Sequence, residues 1–278
     1  MIYFYLVLSV ALIPVLNNFF DILKQEYSWW LVPVLFFAFF IGFILLHFII
    51  FILCFAVTST KTSQDKGAKF YRFLLRITLP LIISVARVKI NVSGMNIEEV
   101  PLDREMLFVC NHQHDFDPAV IFKVFLNHDI GFIGKKEIYK TMPLIGKIMH
   151  RLYCLPIDRE NDREAAKTII EAIRIIKAKK ASIAVFPEGY TSKTCELLPF
   201  RNGSFKIAMK AKAPIVVCAL WGTREIPKRL ILRKSEVNFK IIDVIYPEQF
   251  ENLNTQELGD MIHKQMEDAL MEIKKEEN

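Results

Sequence analysis

Residues 110–120 read Cys-Asn-His-Gln-His-Asp-Phe-Asp-Pro-Ala-Val and bring His112, His114, Asp115 and Asp117 together between an apolar run and a proline. Three uses suit such a set. Imidazoles and carboxylates ligate divalent metals, although a two-metal hydrolytic centre calls for more histidines, and downstream only His128, His150 and His263 follow, in no ligand pair. Alternatively, Asp117 stands five positions after His112, so that across a tight turn its carboxylate can accept one imidazole N–H and leave the other ring nitrogen free to take a proton. The third use is local, with each residue capping or solvating its own loop.

The flanking residues place the cluster. Residues 106–110 read as a buried strand and Pro118 as the start of a helix. The cluster therefore sits on a loop leaving the carboxyl end of a strand, where α/β sheets bind ligands. From Val88 onward, β-rich runs at 88–92, 106–110, 130–134, 182–186, 215–221 and 237–246 alternate with helical periodicity. A helix is expected over 162–179, with Asn161 and Glu164 as a capping box and Ala166, Ile169, Ile170, Ile173 and Ile176 on one face. Another is expected to start near Asn254, with Glu257 three residues on, and to run into the charged carboxyl-terminal tail. The expected fold is α/β, a mixed sheet flanked by helices and preceded by membrane helices.

The chain has 278 residues, 53% of them hydrophobic, and the apolar excess lies at the front. Residues 29–57 carry no charge and exceed the roughly 20 residues that cross a bilayer core. Residues 2–16 are also uncharged but short for a span unless 17–20 extend them, and they contain Pro14. They lack the basic n-region and small-x-small site of a cleaved signal peptide. Lys61, Lys66, Lys69, Arg72 and Arg76 crowd the segment after Val57, while the connection before Trp29 offers only Lys24 beside Asp21 and Glu26. The positive-inside rule then predicts a cell-membrane protein with its body on the cytoplasmic side. Five solitary cysteines without a CxxC pair fit reduced thiols there.

Residues 68–88 alternate basic with apolar side chains and contain Pro80, as suits either a helix in the headgroup region or one covering a core. The division is thus a membrane region at 1–60, a basic amphipathic interfacial segment at 61–87 and a cytoplasmic α/β domain at 88–278. A net charge of +6 favours anionic lipid. It would equally suit nucleic acid, but no aromatic-interleaved basic motif or zinc spacing points to a nucleic-acid partner.

The run Asn-His-Gln-His-Asp-Phe-Asp at 111–117 resembles the Asn-His-x-x-x-x-Asp motif of the glycerolipid acyltransferases, and the chain is similar to their 1-acyl-sn-glycerol-3-phosphate acyltransferase family. Further blocks resemble that family in the same order: Leu-Pro-Ile-Asp-Arg-Glu at 155–160, Val-Phe-Pro-Glu-Gly-Tyr at 185–190, the basic run at 198–208 and Ala-Pro-Ile-Val-Val-Cys-Ala-Leu at 213–220. Two positions depart. Tyr190 and Thr191 stand where the family usually has threonine and arginine, and Cys218 stands where a second proline is common.

The resemblance implies transfer of a fatty acyl group, without an acyl-enzyme, to the sn-2 hydroxyl of 1-acyl-sn-glycerol-3-phosphate or another lysophospholipid. The donor would be an acyl-coenzyme A or acyl carrier protein thioester, with no cofactor and no metal. It implies His112 as general base and Asp117 as its orienting carboxylate. Arg159, Arg201, Lys206 and Lys136, with Lys135 also in reach, are the implied cations for an acceptor phosphate. Glu188 and Gly189 follow a strand in a tight loop, where the glycine permits positive φ or close substrate approach. The Glu188 carboxylate is expected to bind either a glycerol hydroxyl or backbone amides. A silent lipid-binding protein of the same fold is the alternative from outside enzymology.

Overall fold

The computed structural model describes residues 1–20, 30–192, 194–229 and 233–277. The connection bearing Asp21, Lys24, Glu26 and Trp29 lies outside the described residues. Three helices lead the chain: α1 (Ile2–Phe20), α2 (Leu31–Ala56) and α3 (Ala68–Val85). Among the described residues, α2 is the one helix long and apolar enough to cross a membrane, while the apolar part of α1, Ile2–Asn18, is shorter. Phe37, Ile41, Leu45, Ile49 and Ile52 of α2 are exposed, a lipophilic surface with no protein against it. The one side chain in α2 with nitrogen or oxygen is His47, and both of its ring nitrogens are partnered. Nδ1 meets the Tyr5 hydroxyl of α1 at 2.7 Å, and Nε2 meets Thr78 Oγ1 of α3 at 2.9 Å. A polar group that would be costly in hydrocarbon thus ties the three helices together.

The helix α3 runs through Pro80 without a break. It covers core with Leu79 and Ile83 and leaves Phe70 and Phe73 exposed, so both expected uses are visible in one helix. Two of its cations are not available to lipid as expected. Arg72 pairs with Asp129 and donates to the Lys180 carbonyl at 2.6 Å, and Arg76 pairs with Asp129 at 3.1 Å. A carboxylate and carbonyls on the domain beneath attract these guanidiniums inward, leaving Lys61, Lys66, Lys69 and Arg87 as the exposed basic residues of the segment.

Seven strands follow: β1 (Val88–Gly94), β2 (Leu107–Cys110), β3 (Ile130–Lys135), β4 (Leu155–Ile157), β5 (Ser182–Val185), β6 (Ile215–Trp221) and β7 (Ser235–Ile245). They form one sheet in the order β1-β7-β6-β2-β5-β3-β4. The five strands from β6 to β4 are mutually parallel, whereas β7 is antiparallel to β6 and parallel to β1. Six strands lie on the runs expected from their β-rich composition. The seventh, β4, is three residues long at the sheet edge and contains Pro156, the position where a strand tolerates a residue without N–H.

Alternation along β2 divides the core. Leu107 and Val109 face one layer with Ala172 and Ile176 of the Asp162–Lys177 helix and Leu258 and Ile262 of the Thr255–Glu277 helix. Phe108 and Cys110 face the other, with α3 and with Val120 and Ile121 of α4 (Asp117–Val124). Both expected helices have N-caps, although the Glu164 side chain pairs with Lys167 and leaves the box expected with Asn161 half-formed. Asn161 Oδ1 accepts from Glu164 N, while Asn254 and Glu257 cap each other reciprocally.

The linker between α2 and α3 is clamped onto this body. Arg151, buried at the end of the Pro143–Arg151 helix, donates to the Ser63 and Lys66 carbonyls at 3.0 and 3.1 Å and to Thr62 Oγ1 at 2.6 Å. Its guanidinium also lies 5.2 Å from the Tyr71 ring centre. The apolar helix and the sheet are therefore joined by charge-assisted hydrogen bonds rather than by a loose tether.

Candidate active site

Because β6, β2, β5, β3 and β4 are parallel, their carboxyl ends lie along one edge, and the loops leaving them meet there. Asn111 closes the end of β2 against β6: its Nδ2 donates to the Leu220 carbonyl at 2.9 Å and its Oδ1 accepts from Leu220 N at 2.8 Å. The chain then turns through His112 and enters α4 at Asp117.

Asp117 is fully buried, and its carboxylate organises the turn. Oδ2 accepts from the Gln113 N–H at 2.6 Å and the His114 N–H at 2.9 Å, and lies 2.8 Å from His112 Nδ1. Oδ1 accepts from Thr223 Oγ1 at 2.5 Å. With backbone amides donating to it, the carboxylate acts as acceptor toward the ring, so Nδ1 carries the proton and Nε2 the lone pair. Among the described residues nothing hydrogen-bonds Nε2. The ring stacks on Phe186, with centroids 4.1 Å apart and planes at 13°, which fixes its orientation. His114 and Asp115 do not join it: His114 Nδ1 accepts the Phe116 N–H at 3.1 Å, and Asp115 is exposed.

The loop after β5 grips His112 by its main chain. Glu188 Oε1 accepts the His112 N–H at 2.6 Å, and the Ser192 N–H donates to the His112 carbonyl at 2.9 Å. The other carboxylate oxygen of Glu188 accepts the Leu198 N–H at 2.9 Å. Of the two expectations for Glu188, the backbone-binding one is what the geometry displays. Burial pushes this carboxyl up to about 7, outweighing the two amides that favour its ionised form. Gly189 has φ +78°, and the Arg201 stem passes where a side chain would begin, 3.0 Å from an added Cβ.

Beside the dyad, with Phe186 in its wall, is a cavity of about 510 Å³. Ile133, Ile157, Ile169, Ile170 and Ile173 give it an apolar side, and Arg159, Arg201, Lys206 and Lys210 line it as cations. Among the described residues none of these four has a carboxylate within ion-pair distance. Burial, and then the nearby Arg201 charge, hold the Arg159 guanidinium below its ordinary range. Lys136 is outside the cavity lining and lies 3.4 Å from Asp158, and Lys135 lies 4.0 Å from Glu137. Thr223, Phe186 and Lys210 were not foreseen. Thr223 reaches Asp117 across 106 residues of sequence. The one signal for Lys210 was its i, i+4 spacing from Lys206.

Fold and site define a class: an α/β protein with a histidine–carboxylate pair at the carboxyl edge of parallel strands, next to an amphiphilic, cation-lined cavity. A family model described as Acyltransferase matches residues 89–221, which hold the dyad and the cavity lining. The chain is 32% identical over 171 residues to a 1-acyl-sn-glycerol-3-phosphate acyltransferase of Cocos nucifera, covering 61% of this chain and 55% of that one. It is 28% identical over 229 residues to the protein of that name from Saccharomyces cerevisiae, covering 80% of this chain and 71% of the relative. Against its namesake from Escherichia coli identity is 29% over 191 residues, covering 66% and 76%. The crystal structure of the 1-acyl-sn-glycerophosphate acyltransferase from Thermotoga maritima shares the fold, with a TM-score of 0.62 at 22% identity over 88% of this chain and 92% of that one. Over residues 89–221 the chain is thus similar to the acyltransferase family.

Glu188 supplies a stability test. Its carboxyl titrates near 7 in the folded protein and near the ordinary 4.5 when unfolded, so between these values the folded state holds the extra proton. Its contribution to stability therefore falls as pH rises through that window. The melting temperature of wild type minus that of Glu188→Gln, in detergent, should shrink between pH 5 and pH 7.5. A difference that stays flat or grows would contradict the assigned environment.

Proposed function

We propose that this protein transfers a fatty acyl group from an acyl thioester to the sn-2 hydroxyl of 1-acyl-sn-glycerol-3-phosphate, giving phosphatidic acid. The observation that carries it is the 2.8 Å contact of His112 Nδ1 with buried Asp117, which leaves Nε2 available beside a cavity with one apolar and one cationic side. Nε2 takes the proton of the acceptor hydroxyl as its oxygen attacks the thioester carbonyl. The new ester bond forms, the carbon–sulfur bond breaks, and the imidazolium returns the proton to the departing thiolate. Asp117 stabilises the imidazolium between these steps.

Arg159, Arg201 and Lys206 are the proposed partners of the acceptor phosphate, with Lys210 added by its place in the cavity. Glu188 positions His112 through its backbone, and Gly189 lets Arg201 pass. The apolar wall receives an acyl chain, and α2 keeps the site at a membrane where such chains already reside. Bringing a chain out of the bilayer would cost about 0.8 kcal/mol per CH₂. The basic residues that follow α2 support a catalytic domain on the cytoplasmic side. Acyl-coenzyme A and acyl carrier protein remain the two donor classes.

Full-length protein in detergent, given acyl-coenzyme A or acyl carrier protein thioesters and a panel of lysophospholipids, should yield phosphatidic acid by mass spectrometry. General base catalysis contributes about 10²- to 10⁴-fold. His112→Ala should lose at least the lower part of that range with membrane association intact, Asp117→Asn should be severely impaired, and His114→Ala should stay near wild type. Near-normal turnover by His112→Ala would refute the base assignment, and acylation of only a substituted-headgroup lysolipid would replace the acceptor. For orientation, Cys195 is half-buried outside α2, whereas Cys110, Cys154 and Cys218 are buried. A membrane-impermeant maleimide should label Cys195 in inside-out vesicles and not in right-side-out ones. The reverse pattern would overturn the cytoplasmic placement.

A further inference from the structure

Tyr190, packed against two of the cavity's arginines, takes no part in the dyad. It is 46% exposed, yet its ring is engaged twice. The Arg159 guanidinium carbon lies 5.2 Å from the ring centre and that of Arg201 lies 5.1 Å from it. The phenol oxygen accepts from Arg201 Nη2 at 3.2 Å and donates to Glu160 Oε1 at 3.5 Å. One side chain thus connects the loops after β4 and β5 with Arg201.

We infer that Tyr190 is a positioning residue that determines acceptor specificity, holding Arg159 and Arg201 as an uncompensated pair for a phosphate monoester. This rests on the acceptor reading given above. Two guanidiniums near one another repel, and each sits on a long stem that gains entropy by swinging into water. A carboxylate between them would hold both, but it would cancel their charge and compete with any incoming phosphate. An aromatic face attracts cations through its quadrupole and carries no net charge, so it gathers the two guanidiniums while its hydroxyl engages one N–H of Arg201 at Nη2. The other N–H groups of the pair are left for charge-assisted bonds from phosphate oxygens. A terminal phosphate offers up to two charges and three free oxygens, whereas a diester headgroup offers one charge and fewer oxygens. The paired guanidiniums therefore discriminate in favour of the monoester.

The test uses full-length protein in detergent and two variants, Tyr190→Leu and Tyr190→Phe. The dissociation constant for 1-acyl-sn-glycerol-3-phosphate without donor is measured beside kcat, both Michaelis constants and the melting temperature. Tyr190→Leu should raise the acceptor dissociation constant and KM by about threefold to thirtyfold, the span of cation–π attraction. Its kcat and donor KM should stay within about twofold. Preference for the monoester over 1-acyl-glycerophosphocholine should fall by a similar factor. Tyr190→Phe keeps the ring and should recover most of the affinity. Unchanged acceptor binding in Tyr190→Leu would overturn the inference, as would a joint fall of kcat, donor affinity and melting temperature, or a Phe variant as impaired as the Leu one. If wild type binds the lipid but acylates it with no thioester, the acyl-transfer reading fails while the binding comparison still decides Tyr190. If wild type does not bind it, both fail.

Discussion

A buried carboxylate is the constraint on which the site depends. Asp117 is removed from water, and its two oxygens meet the Gln113 and His114 amides, the Thr223 hydroxyl and the His112 ring. An ionised carboxylate in such a place is costly unless its lone pairs are used, and here donors meet both oxygens. Satisfying Asp117 shapes the turn before α4, and that turn points His112 at the cavity. The same bonds that make burial tolerable therefore set the imidazole's tautomer.

The sheet and the membrane helices serve that arrangement at longer range. Parallel pairing from β6 to β4 brings five strand ends to one edge, which is how Thr223, His112, Glu188 and Arg159 meet although they are far apart in sequence. Glu188 and Ser192 hold the main chain of His112 from one side and Asp117 holds its ring from the other. Arg151 and the Arg72–Asp129 pair fasten the segment after α2 to this body, while His47 links α1, α2 and α3. The cavity thereby has a defined orientation relative to α2, which among the described residues is the one helix long and apolar enough to cross a membrane.

What the sequence disclosed and what it concealed divide along contact range. The strand at 215–221 and the caps at Asn161 and Asn254 are local in origin, set by a continuous apolar, β-rich run and by side chains three residues apart. Residues 112 and 117 were legible as a pair because one tight turn connects them. Gly189 was legible as a residue for positive φ because a strand ends just before it. By contrast, β4 owes its existence to pairing with β3 and has too few residues for a periodic signal. Arg72 and Arg76 read as lipid-facing cations until the fold sets Asp129 opposite them. Thr223, Phe186 and the platform of Tyr190 under two arginines are likewise products of tertiary proximity, with no trace in spacing.

The central claim is that His112 presents an unprotonated Nε2 because Asp117 holds the proton on Nδ1. Nitrogen-15 NMR of protein labelled at histidine ring nitrogens, with the His112 signal assigned by its loss in His112→Ala, tests this directly above the pH at which the ring is protonated. The account predicts a pyrrole-type, proton-bearing Nδ1 and a pyridine-type Nε2, with that preference lost in Asp117→Asn. A His112 ring protonated at Nε2 and bare at Nδ1 would contradict it.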